Sequence, residues 1–424
     1  MLVNKKGEPM LNRKTTFVAI LASALALPAC VMAQAPATDK PAPAADKPAE
    51  EGLKVFGLDF SGYVDVGYTH LSGRGAFNLT PAGPGVTVGG PDRVFDFRRN
   101  SLNLHQAAVI LANQPKEGFG GLLNVIVGRD PDVFAAYKTD PSNGGLCNLA
   151  TGLNTATPGT CKDDHWDVTQ AFLQYAVGSF TIMGGKYVTA AGAEVIDSRA
   201  GTNYSHSILF GYAIPFTHTG VRVSYAASDT LTVFGGANQG WDDIKDTNSG
   251  KTGELGVLFS PIKTFTLGAQ GYSGKERVGG LIGLGPQGTR NLIDVVATWN
   301  ATDKLTLILN YDYATQSNAA AFTANGASRA KWDGWAGYVN YQITDDWRVS
   351  LRGEYFNDHD GYRTGLVQKW KEATLTVGYT PIKNLELRAE IRGDRSDKPA
   401  FIDSNNITAS KSQNSFGLQA VYKF

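Results

Sequence analysis

Along the second half of the chain, apolar side chains recur at every other position. Leu305, Leu307, Leu309, Tyr311 and Tyr313 alternate with Thr306, Ile308, Asn310, Asp312 and Ala314. Trp347, Val349, Leu351 and Tyr355 alternate with Arg348, Ser350, Arg352 and Glu354, and Leu385, Leu387, Ala389 and Ile391 alternate with Glu386, Arg388, Glu390 and Arg392. Period two is the signature of a strand whose two faces meet different surroundings. Charges on one face cannot line a dry core without extensive pairing, but they can line a wet lumen while the aliphatic face meets lipid. On this pattern Leu307 faces lipid and Thr306 faces the lumen. At the end of the chain Phe416, Leu418, Ala420, Tyr422 and Phe424 share one face, and Gly417, Gln419, Val421 and Lys423 share the other. A soluble sheet would leave such an apolar edge uncovered, whereas a closed barrel has no edge.

The connections fall into two classes. Short ones include Ser228-Asp229-Thr230, Pro261-Ile262-Lys263, Ala301-Thr302-Asp303, Thr344-Asp345-Asp346 and Pro381-Ile382-Lys383. Long ones run over roughly 71–93, 131–164, 190–217, 276–288 and 393–411, and the two classes alternate. Short turns at one end and long loops at the other are the asymmetry of a transmembrane barrel, with periplasmic turns and extracellular loops. The expected fold is therefore all-β: a transmembrane antiparallel up-and-down β-barrel of about 16 strands, to within two, the first over roughly 57–70, the second over 94–112 and the last over 411–424. Phe180, Phe265, Trp299 and Trp347 adjoin short turns, and Tyr68, Tyr313, Trp335 and Tyr355 lie toward long loops, as two aromatic girdles require. The aromatic last residue resembles the carboxy-terminal signal of bacterial outer-membrane barrel proteins.

Composition adds boundaries. The 424 residues carry 39 basic and 39 acidic side chains, so charge favours no nucleic-acid partner. Lys5, Lys6, Arg13 and Lys14 precede an apolar run from Phe17 to Ala29 and the small residues before Gln34. That is a secretory signal peptide, 1–33, cut after Ala33. Leu27-Pro28-Ala29-Cys30 is a poorer match to a lipoprotein box, because proline precedes the small residue. The next segment, 34–55, is rich in proline and alanine, repeats Asp-Lys-Pro-Ala, and reads as an extended periplasmic linker. The barrel occupies 56–424. Outside the signal, Cys147 and Cys161 are the only cysteines, and an even number in an exported chain points to a disulfide.

Sixteen strands enclose an aqueous channel. The expected pore lining includes Asp65, Arg222, Asp294, Asp312, Arg348, Arg352, Glu354, Glu386, Arg388, Glu390 and Arg392, with near-balanced signs and hence weak ion selectivity. Ion pairs that merely stiffen the wall are the alternative role for each. The connection at about 190–217 holds Ile208, Leu209, Phe210, Ile214 and Phe216, a composition that gains nothing in water. Folded into the lumen it would form a pore-constriction loop carrying Glu194, Asp197 and Arg199 toward wall arginines; an exposed partner-binding patch is the competing account. Asp163-Asp164-His165, His218 and His359 are the candidate catalytic groups, and none has a partner that the sequence can place. No phosphate-cradling glycine loop, zinc motif or calcium loop is present, so no cofactor or metal is expected.

The run Ala213-Ile214-Pro215-Phe216-Thr217-His218-Thr219-Gly220-Val221-Arg222, with Gly185-Lys186-Tyr187 before it and Asn238-Gln239-Gly240-Trp241-Asp242 after, resembles the OmpL-like β-barrel porin family. The resemblance spans about Phe56 to Phe424 and is most specific at Phe216-Thr217-His218-Thr219-Gly220. The family pattern carries arginine where His206 stands, which implies an altered contact in that loop. Membership implies an outer-membrane barrel and porin activity without naming a solute. The expected function is a passive channel for small hydrophilic solutes or ions, in contact with outer-membrane lipid, as monomer or homotrimer. A structural or adhesive barrel with an obstructed lumen is the alternative. For the cysteines, thiol labelling of intact cells should be negligible before reduction and strong after it; labelling without reductant, or none after reduction, rejects an exposed Cys147–Cys161 bond.

Overall fold

The computed structural model describes residues 54–55, 57–77, 93–96, 100–134, 165–246, 248–277, 286–403 and 409–424. The signal peptide, nearly all of the linker, Cys30, Cys147 and Cys161 lie outside the described residues. Sixteen antiparallel strands close into a barrel. They are β1 (Leu58–Leu71), β2 (Ser101–Asn113), β3 (Gly118–Val127), β4 (Trp166–Val177), β5 (Phe180–Val188), β6 (Thr217–Ser228), β7 (Leu231–Asn238), β8 (Thr252–Ile262), β9 (Phe265–Arg277), β10 (Gln287–Asn300), β11 (Leu305–Ser317), β12 (Arg329–Gln342), β13 (Trp347–Asp358), β14 (Gln368–Ile382), β15 (Leu385–Ser396) and β16 (Ser412–Lys423). Each pairs with its sequence neighbours, and β16 returns to β1 with Lys423 opposite Tyr63 and Ser415 opposite Leu71. Long and short connections alternate throughout. No helix among the described residues is long and apolar enough to cross a membrane.

The alternation seen in the sequence becomes an inside and an outside. Leu309 is 56% exposed on the outer face, while its neighbours Asn310 and Asp312 are buried in the interior. Leu351, Ile391, Leu418 and Phe424 are likewise exposed, and Arg352, Arg392 and Gln419 are buried. A soluble protein would invert this arrangement. Here the exposed side chains form an apolar belt flanked by Phe180, Trp299 and Trp347 at the turn end and Tyr313 and Trp335 at the loop end. The last strand seals the seam. Phe424 and Gly62 exchange backbone hydrogen bonds of 2.9 and 3.0 Å, and a Cβ at Gly62 would lie 2.5 Å from both the Phe424 ring and the Ala108 carbonyl. Glycine is required there because two backbones and a ring converge.

Three boundaries differ from the sequence reading. β2 begins at Ser101, not near 94; Asp96 and Asn100 adopt positive φ, 46° and 54°, which breaks the extended chain and turns Val94 and Phe95 inward. Pro261-Ile262 and Pro381-Ile382 belong to β8 and β14, with register shifts after Phe259 and Tyr379 that accommodate the prolines. Connections 239–251, 318–328 and 359–367 are additional long loops. The face assignment has a direct test. Leu309→Arg places a cation in the apolar belt and should reduce folding stability in lipid by about 2–4 kcal/mol, while Thr306→Arg should leave stability near wild type. Equal losses in urea titrations of refolded protein would reject the inside–outside assignment.

Candidate functional site: an inward loop bolted to the barrel wall

Between β5 and β6 the chain does not stand in solvent. Residues 189–216 turn into the lumen, with Ile208, Leu209, Phe210, Ile214 and Phe216 all buried. Phe210 and Phe216 pack 5.2 Å apart; Phe95 stacks on Phe210 and meets Phe216 edge-on, each at 5.7 Å. Gly211 lies so close to Val94 that a Cβ would approach it to 2.7 Å. Removing such side chains from water contributes about 1.5–3 kcal/mol each, enough to draw the segment inward. Its single turn of helix, α1 (Ile208–Tyr212), starts at Ser207, whose hydroxyl accepts from Phe210 N–H at 2.9 Å.

An irregular segment inside a barrel must find partners for its backbone groups, and the wall supplies them. Tyr204 and Ser205 N–H donate to Glu390 at 2.7 and 3.0 Å. Ile208 and Leu209 N–H donate to Glu354 at 3.1 and 3.2 Å. Ser207 N–H donates to Glu194 within the loop. The arginines serve the carbonyls: Arg348 donates to Thr202 (2.6 Å), Arg352 to Ser205 (2.6 Å), Arg392 to His206 (2.7 Å) and Arg388 to Ser198 (3.2 Å). Ion pairs to Glu372, Glu386 and Asp394 hold these arginines in turn. The predicted wall charges are thus inward, but four of the arginines and two of the glutamates serve as ties to the loop. Arg222 pairs instead with Glu254 in a two-pronged contact of 2.8 and 2.9 Å. Asp65 accepts from Gln419 at 2.8 Å, and Asp294 and Asp312 face each other across β10 and β11.

Of the loop's own charges only Glu194 reaches a wall arginine, Arg352, at 2.9 Å; it also accepts from Tyr338 and contacts His206. Burial alone would push its carboxyl up, but Arg352, His206 and the Ser207 N–H outweigh burial and hold it at about 2. Asp197 and Arg199 do not face wall ions; they pair with each other at 2.7 Å, and Arg199 lies 4.9 Å over the Tyr63 ring. Beside the loop remains a cavity of about 310 Å³ lined by Asp65, His105, Glu194, Arg199, Tyr204 and Arg388 among others. His105 bridges Asp130 (3.2 Å) and Tyr204 (3.0 Å), tying the loop to β2 as well.

The Putative beta-barrel porin-2, OmpL-like family model matches residues 57–424. The chain belongs to this porin family. Similar solved folds include the loop-deleted OmpT of Vibrio cholerae (14% identity, 87% of this chain and 99% of that one, TM-score 0.53) and the outer-membrane channel DcaP of Acinetobacter baumannii (14%, 88% and 99%, TM-score 0.53). The anion-selective porin of Comamonas acidovorans is also similar (11%, 87% and 99%, TM-score 0.51). At these identities the likeness is one of fold. No curated protein matches the sequence.

The segments singled out by the sequence resemblance converge where the 189–216 loop rejoins the wall. Tyr187 lies opposite His218, and Gly220 opposite Asn238. Asp242 accepts Phe216 and Thr217 N–H at 2.7 and 2.9 Å, and burial pushes its carboxyl up to about 6 against those two bonds. His218 stacks on Tyr272 at 4.8 Å. His206 fits between Phe95 and Phe210, at 4.5 and 4.6 Å, while touching Glu194. The catalytic candidates are dispersed: His165 contacts Asp132 at 2.9 Å, His359 contacts Asp333, and Asp163 and Asp164 lie outside the described residues. Among the described residues no group of three or more His, Cys, Asp or Glu could hold a metal.

Sequence reasoning missed several partners. Glu254 and Glu372 lie on the inward face and are within reach of period two; Phe95, being apolar, reads as strand. Asp358 continues the inward face of β13, but nothing in the pattern shows that it accepts Tyr362, Arg363 and Thr364 N–H at 2.7–2.9 Å and so folds a second loop inward behind α1. A pH test follows for Glu194. Its carboxyl is depressed, so its tie is fully present above its ordinary value of 4.5 and is lost as pH falls through about 2. Hydrogen exchange at Ser207, corrected for intrinsic rate, should stay protected to about pH 4 and weaken below. Glu194→Gln should be less protected at pH 7 and flat with pH; an identical profile would reject the tie.

Proposed function

We propose that this protein is an outer-membrane porin: a passive, water-filled pathway for small hydrophilic solutes, narrowed by the 189–216 loop. The supporting observation is the loop itself. A lumen with charged walls, crossed at mid-height by a segment tied through both its N–H and its carbonyl groups, is a fixed constriction rather than a surface for chemistry. The inward charges mostly neutralise one another, which supports weak ion preference set by the few that still meet water. The narrow cavity also supports the second reading, an obstructed barrel whose outer loops act; conductance of purified protein in planar bilayers separates the two. Export by a signal peptide cut after Ala33 belongs to this reading and is checked by the mass of the mature protein. The solved neighbours include a trimer form of Vibrio cholerae OmpT, so a homotrimer is the assembly to test in detergent.

Asp197 and Arg199 are each 26% exposed and paired with each other, so removing one leaves the other's charge unmatched beside the cavity. Under a salt gradient, Asp197→Asn should move the reversal potential toward anions and Arg199→Gln toward cations. Shifts of one sign, or none with unchanged conductance, would place the pair outside the path.

A further inference from the structure

The outer face carries a feature that transport does not use. Trp335, Tyr355, Lys371 and Arg395 lie in one cross-strand row over β12 to β15, each directly opposite the next. All point away from the lumen, and Lys371 and Arg395 are both exposed. Two cations side by side on adjacent strands repel each other, an arrangement that destabilises a sheet unless an anion lies between them. Neither has an ion-pair partner among the described residues. The nearby carboxylates are engaged: Asp333 contacts His359, and Asp397 accepts Lys369 N–H at 2.8 Å. Lys369, Lys398 and Lys411 add exposed positive charge at the same strand ends. Trp335 and Tyr355, stacked 6.4 Å apart, mark this row as the level where hydrocarbon meets headgroups. One row nearer the belt, Gly353, Ala373 and Gly393 offer at most a methyl group, so nothing screens the cations from a lipid lying against the sheet.

We propose that Lys371 and Arg395 form a binding site for the phosphate of an anionic membrane lipid on the loop-side rim of the barrel. The site rests on the membrane placement of the porin reading but not on conduction. Full-length folded protein in neutral detergent would be titrated with phosphatidylglycerol or phosphatidylcholine, and bound lipid counted by native mass spectrometry. Wild type should retain phosphatidylglycerol preferentially. Lys371→Gln with Arg395→Gln should lose about 30-fold in affinity, a factor of about five for each cation at an anionic surface. Lys275→Gln with Lys304→Gln, the same charge change elsewhere on the exterior, should bind as wild type. Equal retention of both lipids, equal affinity in the double variant, or complete displacement of phosphatidylglycerol by millimolar inorganic phosphate overturns the site. Conductance of the same samples in phosphatidylcholine bilayers tests the channel reading separately, because that reading predicts open channels whether or not the lipid site exists.

Discussion

Everything in the lumen follows from one constraint: a chain that leaves the sheet and enters a barrel must satisfy its backbone groups there. Strands meet this demand through their neighbours, but the 189–216 loop has none. Side chains of β13, β14 and β15 replace the missing strand. Glutamates of this wall accept pairs of N–H groups, and its arginines donate to the carbonyls between them. A carboxylate can take two adjacent N–H donors, and a guanidinium can serve a carbonyl while holding an acid, so alternating Glu and Arg suits an irregular segment. The charges usually assigned to a pore wall are here largely structural.

Apolar packing and polar ties act on different parts of the same loop. Phe210, Ile214 and Phe216 drive it inward with Phe95, but burial is non-directional and would accept many poses. Direction comes from the bonds to Glu354, Glu390 and Arg352. A loop held only by apolar contacts would slide, and one held only by ions would stay hydrated and mobile. Together they fix the loop's pose, and the buried pairs that hold it are poorly screened by salt.

The barrel was legible because its signal is local. Period two needs only a dozen residues to show itself, and sixteen repetitions leave little room for another fold. The inward loop was legible from composition, since five large apolar groups in a long connection call for burial, and the structure decides between the lumen and a partner. Its partners were not. Glu390 meeting Tyr204 joins residues 186 positions apart, and nothing in either neighbourhood announces the other. The same limit applies to Asp197: its charge suggests a wall arginine as partner, but the chain supplies Arg199 two residues away. The start of β2 failed differently. Val94-Phe95 reads as strand because it is apolar, and only the positive φ values of Asp96 and Asn100 show that its burial is against the loop.

The run that carries the family resemblance then acquires a physical meaning. Its most specific run contains no exposed catalytic group; it contains Phe216, which anchors the loop's end in the apolar cluster, and Thr217, whose N–H bonds to Asp242 from the motif's last segment. His218 stacks on Tyr272, and Arg222 is clamped by Glu254 between Tyr187 and Phe234. These contacts fix the point at which the chain stops being loop and becomes wall. A small error in that angle at the hinge would be magnified at the crest, where the ties to Glu354 and Glu390 must meet their donors within hydrogen-bond distance. The run from Phe216 to Arg222 is therefore best read as the join that sets the angle at which the loop enters the barrel.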